Sequence, residues 1–338
     1  MNRVIITGGN GFIGRHLVTK LLSCRPHSVA LISNTSHMND NFLADRNLLK
    51  DIRSTYYNAD IRDSKTISDI FRDERPDTCI HLAAKISVPD SIKNPDVTMD
   101  INVNGTLNVL EASHNSKVNN FVFASSAAVY GDVRELPISE SHALNPLSPY
   151  GTSKMQAEQQ VFSYNKLKKI QNTISLRFFN VYGDGQVNEN DVVTKFARRL
   201  SKGLPPIIYG NGKHTRDFIS VDDVADSILL SIRVMEESKK SKNNQDYNRS
   251  SSPVFNIGTG TATSIKELAH KMISISGLEL KPVYVEGGLD DGVISESYAD
   301  MTKAKRTLNF VAKKNLETGL RELAELQHIS KSTSKSTL

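Results

Sequence analysis

The chain has 338 residues, 38% of them hydrophobic and 23% charged, with a formal net charge of +5. That length supports a large core, in one big domain or two closely joined ones, and the composition is that of an ordinary soluble globular protein. The basic residues are scattered, with some of the excess in "KKSKNN" (239–244) and "KSTSK" (331–335), so no basic stripe with stacking aromatics argues for a nucleic-acid partner, although a mildly basic balance favours a small anionic substrate. Cys24 and Cys79 supply neither a disulfide scaffold nor metal-ligand spacing, and their apolar surroundings predict buried, inert thiols with no metal site. No apolar run reaches membrane-spanning length. A strand pattern beginning at Arg3 leaves no room for a signal peptide, so a cytoplasmic setting is expected.

The first strand is "RVIIT" (3–7), followed directly by "TGGNGFIG" and a helical period over 12–23. Glycines 8, 11 and 14 stand between strand and helix, one residue wider at the first gap than the common dinucleotide pattern. Gly8 permits a tight turn, Gly11 lets the backbone approach a pyrophosphate at the helix N-terminus, and Gly14 allows close helix–strand packing. The second strand, "SVALI" (28–32), ends in "LISNTSH", with Ser33 where an acid for the adenosine ribose of NAD is expected. Ser33 or Asn34 can still bond a ribose hydroxyl. Without a carboxylate to repel a 2′-phosphate, and without an arginine to attract one, NAD is the expected cofactor and NADP stays open.

Strand-like runs continue with "STYYNAD" (54–60), "TCIHLAA" (78–84), "NFVFASS" (120–126) and "TISLRFFN" (173–180), separated by helical periods over 63–74, 97–116 and 150–168. Near-continuous apolar strands alternating with helices predict an α/β fold, a doubly wound parallel sheet covered on both faces. After 181 the pattern loosens: 184–215 and 278–312 carry most of the Gly and Pro punctuation, whereas "RDFISVDDVADSILLSI" (216–232) and "VFNIGTG" (254–260) read again as core. The second half therefore interleaves, part returning to the sheet and part building a smaller lobe. Residues 238–252 are expected to form a surface loop, and the tail from about 329 to be disordered.

The stretch "PLSPYGTSKM" (146–155) places Lys154 four residues after Tyr150, on one helix face, with Pro149 suited to the first turn. An ammonium beside a phenol favours the phenolate, moving the tyrosine from about 10 toward a usable base. "SSAAVYG" (125–131) ends the fifth strand, where ligands of such sheets bind, and Ser126 can hold the same substrate hydroxyl as Tyr150.

In order, "TGGNGFIG", "ADI", "HLAA", "NVNGTLNVLEA", "SSAAVYG", "YGTSK", "LRFFNVYG", "RDFISVDDVA" and "NIGTG" resemble the extended short-chain dehydrogenase/reductase family, over about residues 2–325. Within it the likeness is to the NAD-dependent epimerases and dehydratases, nearest the UDP-glucose 4-epimerases. The resemblance implies a Rossmann-type sheet with a smaller, interleaved C-terminal substrate lobe: residues 1–180 and 216–260 in the cofactor domain, 181–215 and 261–328 mainly in the lobe, and 329–338 as tail. It implies Tyr150 as base, Lys154 tuning it and binding the nicotinamide ribose, and Ser126 on the reacting hydroxyl. For the cofactor it implies Phe12 and Ile13 in the pyrophosphate turn, Asp60 and Ile61 at the adenine, Leu82, Ala83 and Ala84 at the fourth strand end, Asn102 supporting from the next helix, and Phe179 near the nicotinamide. For the substrate it implies Asn180 and Arg216 at a sugar-nucleotide diphosphate.

Dehydratases of the family place an acidic pair after the catalytic Ser or Thr, where this chain has Ala127 and Ala128. Methyl groups cannot shuttle protons, so water elimination is disfavoured; decarboxylation weakens too, for want of a glutamate at Ala128. The implied activity is NAD-dependent interconversion of UDP-sugars at C4, of UDP-glucose/UDP-galactose or a relative, through a 4-keto sugar. An NADPH-dependent reductase of a 4-keto nucleotide sugar is the alternative, and a non-enzymatic dinucleotide-binding module the third reading. One departure stands out: where the family has a diphosphate-gripping arginine, "EGGLDDGVISESYAD" (286–300) puts Asp290. The resemblance also implies a homodimer through the helices at 97–116 and 150–168.

Overall fold

The computed structural model describes residues 2–34, 53–133, 135–186, 191–240, 253–287, 294–327 and 329. The strands are β1 (Arg3–Thr7), β2 (Ser28–Ser33), β3 (Arg53–Asn58), β4 (Thr78–His81), β5 (Asn120–Ser126), β6 (Asn172–Phe178), β7 (Asn180–Tyr182), β8 (Ile207–Tyr209), β9 (Thr215–Arg216), β10 (Phe218–Ser220), β11 (Val254–Ile257), β12 (Thr263–Ser264) and β13 (Val283–Val285). Seven of them form one sheet in the order β3-β2-β1-β4-β5-β6-β11, every pair parallel. This is the doubly wound arrangement, and its order reverses between β1 and β4, where a crevice opens at the carboxyl ends.

Alternation along the strands divides the core. Val4 and Ile6 of β1 face the helices Phe12–Ser23 and Val221–Lys240, through Leu17, Leu21, Val224 and Ile228. Ile5 points the other way, toward Ile67 and Phe71 of helix Ser64–Glu74, Val109 and Leu110 of helix Gly105–Asn115, and Val161 of helix Pro149–Lys166. With apolar layers on both faces, the strands carry the near-continuous hydrophobic runs seen in the sequence.

The helical period at 97–116 is interrupted: a helix over Pro95–Met99 passes through one π turn at Asp100–Asn104 before Gly105–Asn115. Past 180, the short pairs β7–β10, β9–β12 and β8–β13 and the helices Val192–Leu200, Ile265–Ser276 and Leu316–Leu326 enclose a separate core of Tyr182, Phe196, Ile208, Leu268, Met272 and Leu323. Helix Thr302–Leu308 and the chain just after it instead return Ala304, Leu308 and Phe310 to the core beneath the sheet.

Three expectations change. Ile329 is buried in the lobe core rather than starting a disordered tail, and 330–338 lie outside the described residues. Helix Val221–Lys240 runs into the stretch expected as a loop from 238, and 241–252 lie outside the described residues. Cys79 is buried as expected, but Cys24 is exposed at the end of the first helix. Among the described residues no helix is long and apolar enough to cross a membrane, and no cluster of metal-ligating side chains occurs.

Candidate active site

The crevice begins at the turn after β1. Gly8 has φ 72°, and a Cβ there would lie 2.7 Å from the backbone nitrogen of Ala83, so only glycine lets the turn meet the chain leaving β4. A Cβ on Gly14 would fall 2.6 Å from the carbonyl oxygen of Gly9, which seats the first helix hard against the turn. Gly11, the exposed N-cap of that helix, makes no side-chain cap hydrogen bond to the first-turn N–H groups. These are cradle features that fit a pyrophosphate. Phe12 packs edge-on against His16, with ring centroids 5.9 Å apart, and Ile13 leans on the core.

Ser33, half-buried, and Asn34, exposed, close β2 beside this turn. Asp60 is held by Arg62, whose hydrogen bond lowers the carboxyl below its ordinary range. Ile61 turns into the core, against the face where Gly105 leaves room. Leu82, Ala83 and Ala84 are half-buried along the chain leaving β4.

The catalytic stretch sits on the next strand and helix. Ser148 caps helix Pro149–Lys166 by accepting from the Gly151 N–H at 3.1 Å, and the Tyr150 N–H donates to Ser91 Oγ at 3.1 Å. Ser126, at the end of β5, acts on the Tyr150 phenol from the neighbouring strand. Burial pushes that phenol above its ordinary value, and Ser126 pulls it back. This differs from the expected tuning by Lys154. The lysine is 4% exposed; its Nζ donates to the Ala124 carbonyl at 2.8 Å and lies 5.0 Å from the Phe123 ring centroid. Four-residue spacing puts both side chains on one helix face, but the hydrogen bond of the lysine runs to the strand backbone.

Burial pushes the Lys154 ammonium down to about 7. Its folded value therefore lies below the unfolded one, about 10.4. Between these values the unfolded chain binds more protons, so cofactor-free protein gains stability as pH rises from about 7 toward 10, by at most about 1.4 kcal/mol per unit. Lys154→Met is expected to flatten that rise. Urea unfolding at about pH 7 and about pH 9 measures it, and equal pH gains in the two proteins would refute the burial argument.

A hydrogen-bond chain joins the cofactor turn to the catalytic helix. Thr106 donates to the Asn102 carbonyl at 2.6 Å, so its oxygen accepts from His81 Nε2 at 2.9 Å. That leaves His81 Nδ1 to accept from Thr7 at 2.6 Å. Burial holds this imidazole down at about 3, so it stays neutral. The Asn102 side chain accepts from the Lys85 N–H at 2.8 Å and donates to Ser153 Oγ at 2.9 Å, and Ser153 donates to the Tyr150 carbonyl at 2.7 Å. Asn102 thus supports the 82–85 segment and the tyrosine together, from the π turn.

On the lobe side, Asn180 is half-buried on β7, its N–H donating to the Asp217 carbonyl at 2.9 Å. Arg216 on β9 is half-buried; burial lowers its basicity and the charge of Asp132 opposes this. The neighbouring Asp217 carboxylate is fully buried and accepts from Thr259 Oγ1 at 2.6 Å and from the N–H groups of Thr259, Gly260 and Ala299, tying three segments behind Arg216. Phe179 is buried among Val129, Tyr130 and Ile138, under the catalytic loop. Asp290 lies outside the described residues.

The model of the NAD dependent epimerase/dehydratase family matches residues 4–258. The chain belongs to this family. A putative UDP-glucose 4-epimerase of Methanocaldococcus jannaschii is 35% identical over 323 residues, spanning 95% of this chain and 96% of the relative. The crystal structure of UDP-glucose 4-epimerase with UDP-glucose from Thermotoga maritima superposes with a TM-score of 0.83 at 33% identity, covering 96% of this chain and 98% of that one. UDP-glucose 4-epimerase of Thermus thermophilus in complex with NAD gives 0.81 at 29% identity, over 96% and 99% of the two chains.

Two residues of this family member escaped the sequence reading. Glu158 lies one turn beyond Lys154 and is buried against Arg177 of β6. The available signal was Arg177 itself: a charge inside an otherwise apolar strand that is covered on both faces requires a partner.

Proposed function

We propose that the chain is an NAD-dependent epimerase that interconverts UDP-sugars at C4, of UDP-glucose/UDP-galactose or a relative, by transient oxidation to a 4-keto sugar. The observation that carries the reading is Ser126 at the end of β5 with Tyr150 in the first turn of the helix packed on that strand, followed by Ala127 and Ala128 instead of acids. Gly8, Gly11, Phe12, Ile13, Gly14, Ser33, Asn34, Asp60, Ile61, Leu82, Ala83 and Ala84 would hold NAD, with Asn102 behind them and Tyr150, Lys154 and Phe179 at its nicotinamide end. NAD bound there supplies a two-way hydride exchange at the sugar carbon. Tyr150 takes the proton of the 4-hydroxyl on oxidation and returns it on reduction, while Ser126 holds the same oxygen. Ala127 and Ala128 offer no proton for elimination at C5 and C6, so the keto sugar leaves only by reduction. Asn180 and Arg216 grip the diphosphate from the lobe.

The same reading assigns residues 1–180 and 216–260 to the cofactor half and 181–215 and 261–328 mainly to the substrate half. It places the protein in the cytoplasm, as a homodimer. Exposed Val97 and Phe162, on helices Pro95–Met99 and Pro149–Lys166, support that pairing, and sedimentation at a single-chain mass would refute it.

The test is a panel of nucleotide sugars incubated without added cofactor, with products resolved by NMR. Formation of UDP-galactose from UDP-glucose, or the equivalent C4 inversion of a relative, is expected. The second reading, an NADPH-dependent reductase of a 4-keto nucleotide sugar, draws on Ser33 at the ribose position. Turnover only of 4-keto sugars, and only with added NADPH, would replace the first reading with it.

A further inference from the structure

Behind the reacting pair lies a buried polar network. Glu158 and Arg177 are almost fully buried and pair through two contacts, Nε to Oε2 at 3.0 Å and Nη2 to Oε1 at 2.5 Å. The same Glu158 oxygen that meets Nε accepts from Ser125 Oγ at 2.7 Å. Arg177 Nη1 donates to the Tyr130 hydroxyl at 2.8 Å, the guanidinium lies 4.7 Å from that ring centroid, and the Tyr130 hydroxyl donates to Asn256 Oδ1 at 2.6 Å. Asn256 in turn donates to the Ile138 carbonyl, and its N–H to Glu140 Oε1, both at 2.8 Å.

Four elements meet here, the helix Pro149–Lys166 and strands β5, β6 and β11, together with the chain after β5. Glu158 is on the helix that carries Tyr150, Ser125 precedes Ser126 on β5, Tyr130 ends the loop after Ser126, and Arg177 and Asn256 come from β6 and β11. The helix is pinned to β5 at two neighbouring points, Lys154 on the Ala124 carbonyl and Glu158 on Ser125. A hydrogen bond between side chains of two different elements needs those elements fixed to a fraction of an ångström, and a misplacement of about 1 Å can cost about 100-fold in rate.

We propose that the buried Glu158–Arg177 pair, acting through Ser125, is a positioning device that locks the helix bearing Tyr150 to the strand bearing Ser126 at a fixed separation. The inference rests on the reading of Ser126 and Tyr150 as the reacting pair. Glu158 touches neither substrate nor cofactor in this role. A buried ion pair adds little net stability against an apolar replacement of the same shape, but it fixes geometry, and that is the use assigned here.

The test reads the phenol directly. Ring-labelled tyrosine NMR follows the titration of Tyr150 in the NAD-bound protein, the signal being assigned by its loss in Tyr150→Phe. The charged and titratable groups facing the pair are Tyr130, Glu140 and Lys303, and Lys154 lies one turn before Glu158 on the helix of Tyr150. Ser126 lowers the Tyr150 pKa, so loosening the lock raises it. Ser125→Ala leaves the ion pair intact and cuts only its link to β5; Glu158→Gln keeps the shape and halves the acceptors. Both are expected to raise the Tyr150 titration by about 0.5 unit or more and to lower kcat about tenfold, with KM and bound NAD unchanged. If Glu158→Gln fails to fold, Ser125→Ala decides alone. A lower melting temperature with an unmoved Tyr150 titration would reduce the network to scaffolding and overturn the proposal. A moved titration in a protein that turns over no nucleotide sugar would sustain it while defeating the epimerase reading.

Discussion

Tyr150→Phe will keep its bound NAD and lose about 1000-fold or more of its turnover, within the range that a positioned acid–base group contributes. Phenylalanine preserves the ring and its packing, and the hydrogen bonds that place the residue run through its backbone, to Ser91 and Ser153. Helix position is therefore retained, and the glycine cradle is built from other segments. What disappears is the one oxygen able to exchange a proton with the substrate hydroxyl. Neither neighbour can take over: the Ser126 hydroxyl is too weak an acid to be ionised near neutral pH, and Lys154 is committed to the Ala124 carbonyl 2.8 Å away. The measurement is NAD released on denaturation, set beside the rate of C4 inversion by NMR. A variant within tenfold of wild type would remove Tyr150 from the mechanism.

The sheet and its crevice were readable because parallel strands buried on both faces write long apolar runs. "NFVFASS" coincides with β5, and the 12–23 period with the first helix. The π turn at Asp100–Asn104 was not, since a single widened turn leaves the apolar period of 97–116 nearly intact; only the side-chain bonds of Asn102 reveal its use. The lobe strands β7 to β10, β12 and β13 are two or three residues long, too short for alternation to register.

The candidate site divides in the same way. Spacing identified the face shared by Tyr150 and Lys154 but not the rotamer that carries the ammonium to Ala124. Arg177 was visible as a charge in a buried strand, while Glu158, nineteen residues earlier in sequence, could be matched to it only by the packing of helix on sheet. Asp217 behaves likewise: its four acceptor contacts come from Thr259, Gly260 and Ala299, segments that sequence alone does not bring together.

Gly14→Ala will lower NAD affinity about 10- to 100-fold while leaving the protein folded, the binding equivalent of the roughly 1–3 kcal/mol that overpacking imposes. The added methyl carbon would fall 2.6 Å from the Gly9 carbonyl oxygen and 2.8 Å from its carbon, both backbone atoms that cannot swing aside as a side-chain tip would. Either the first helix slides outward or the turn opens. Both movements displace the N–H groups of the helix start from the concave face that Gly8 and Ala83 shape. The sheet side of the same helix, Leu17 and Leu21, remains in the core and limits the loss of stability. Gly203→Ala is the control, because nothing lies within 4 Å of its Cβ and only its positive φ is strained. Titration of NAD into the stripped proteins measures the difference. Equal affinity in Gly14→Ala and wild type would mean that the close seating of helix on turn does not shape the pyrophosphate cradle, and the roles of the other glycines would then have to be argued without it.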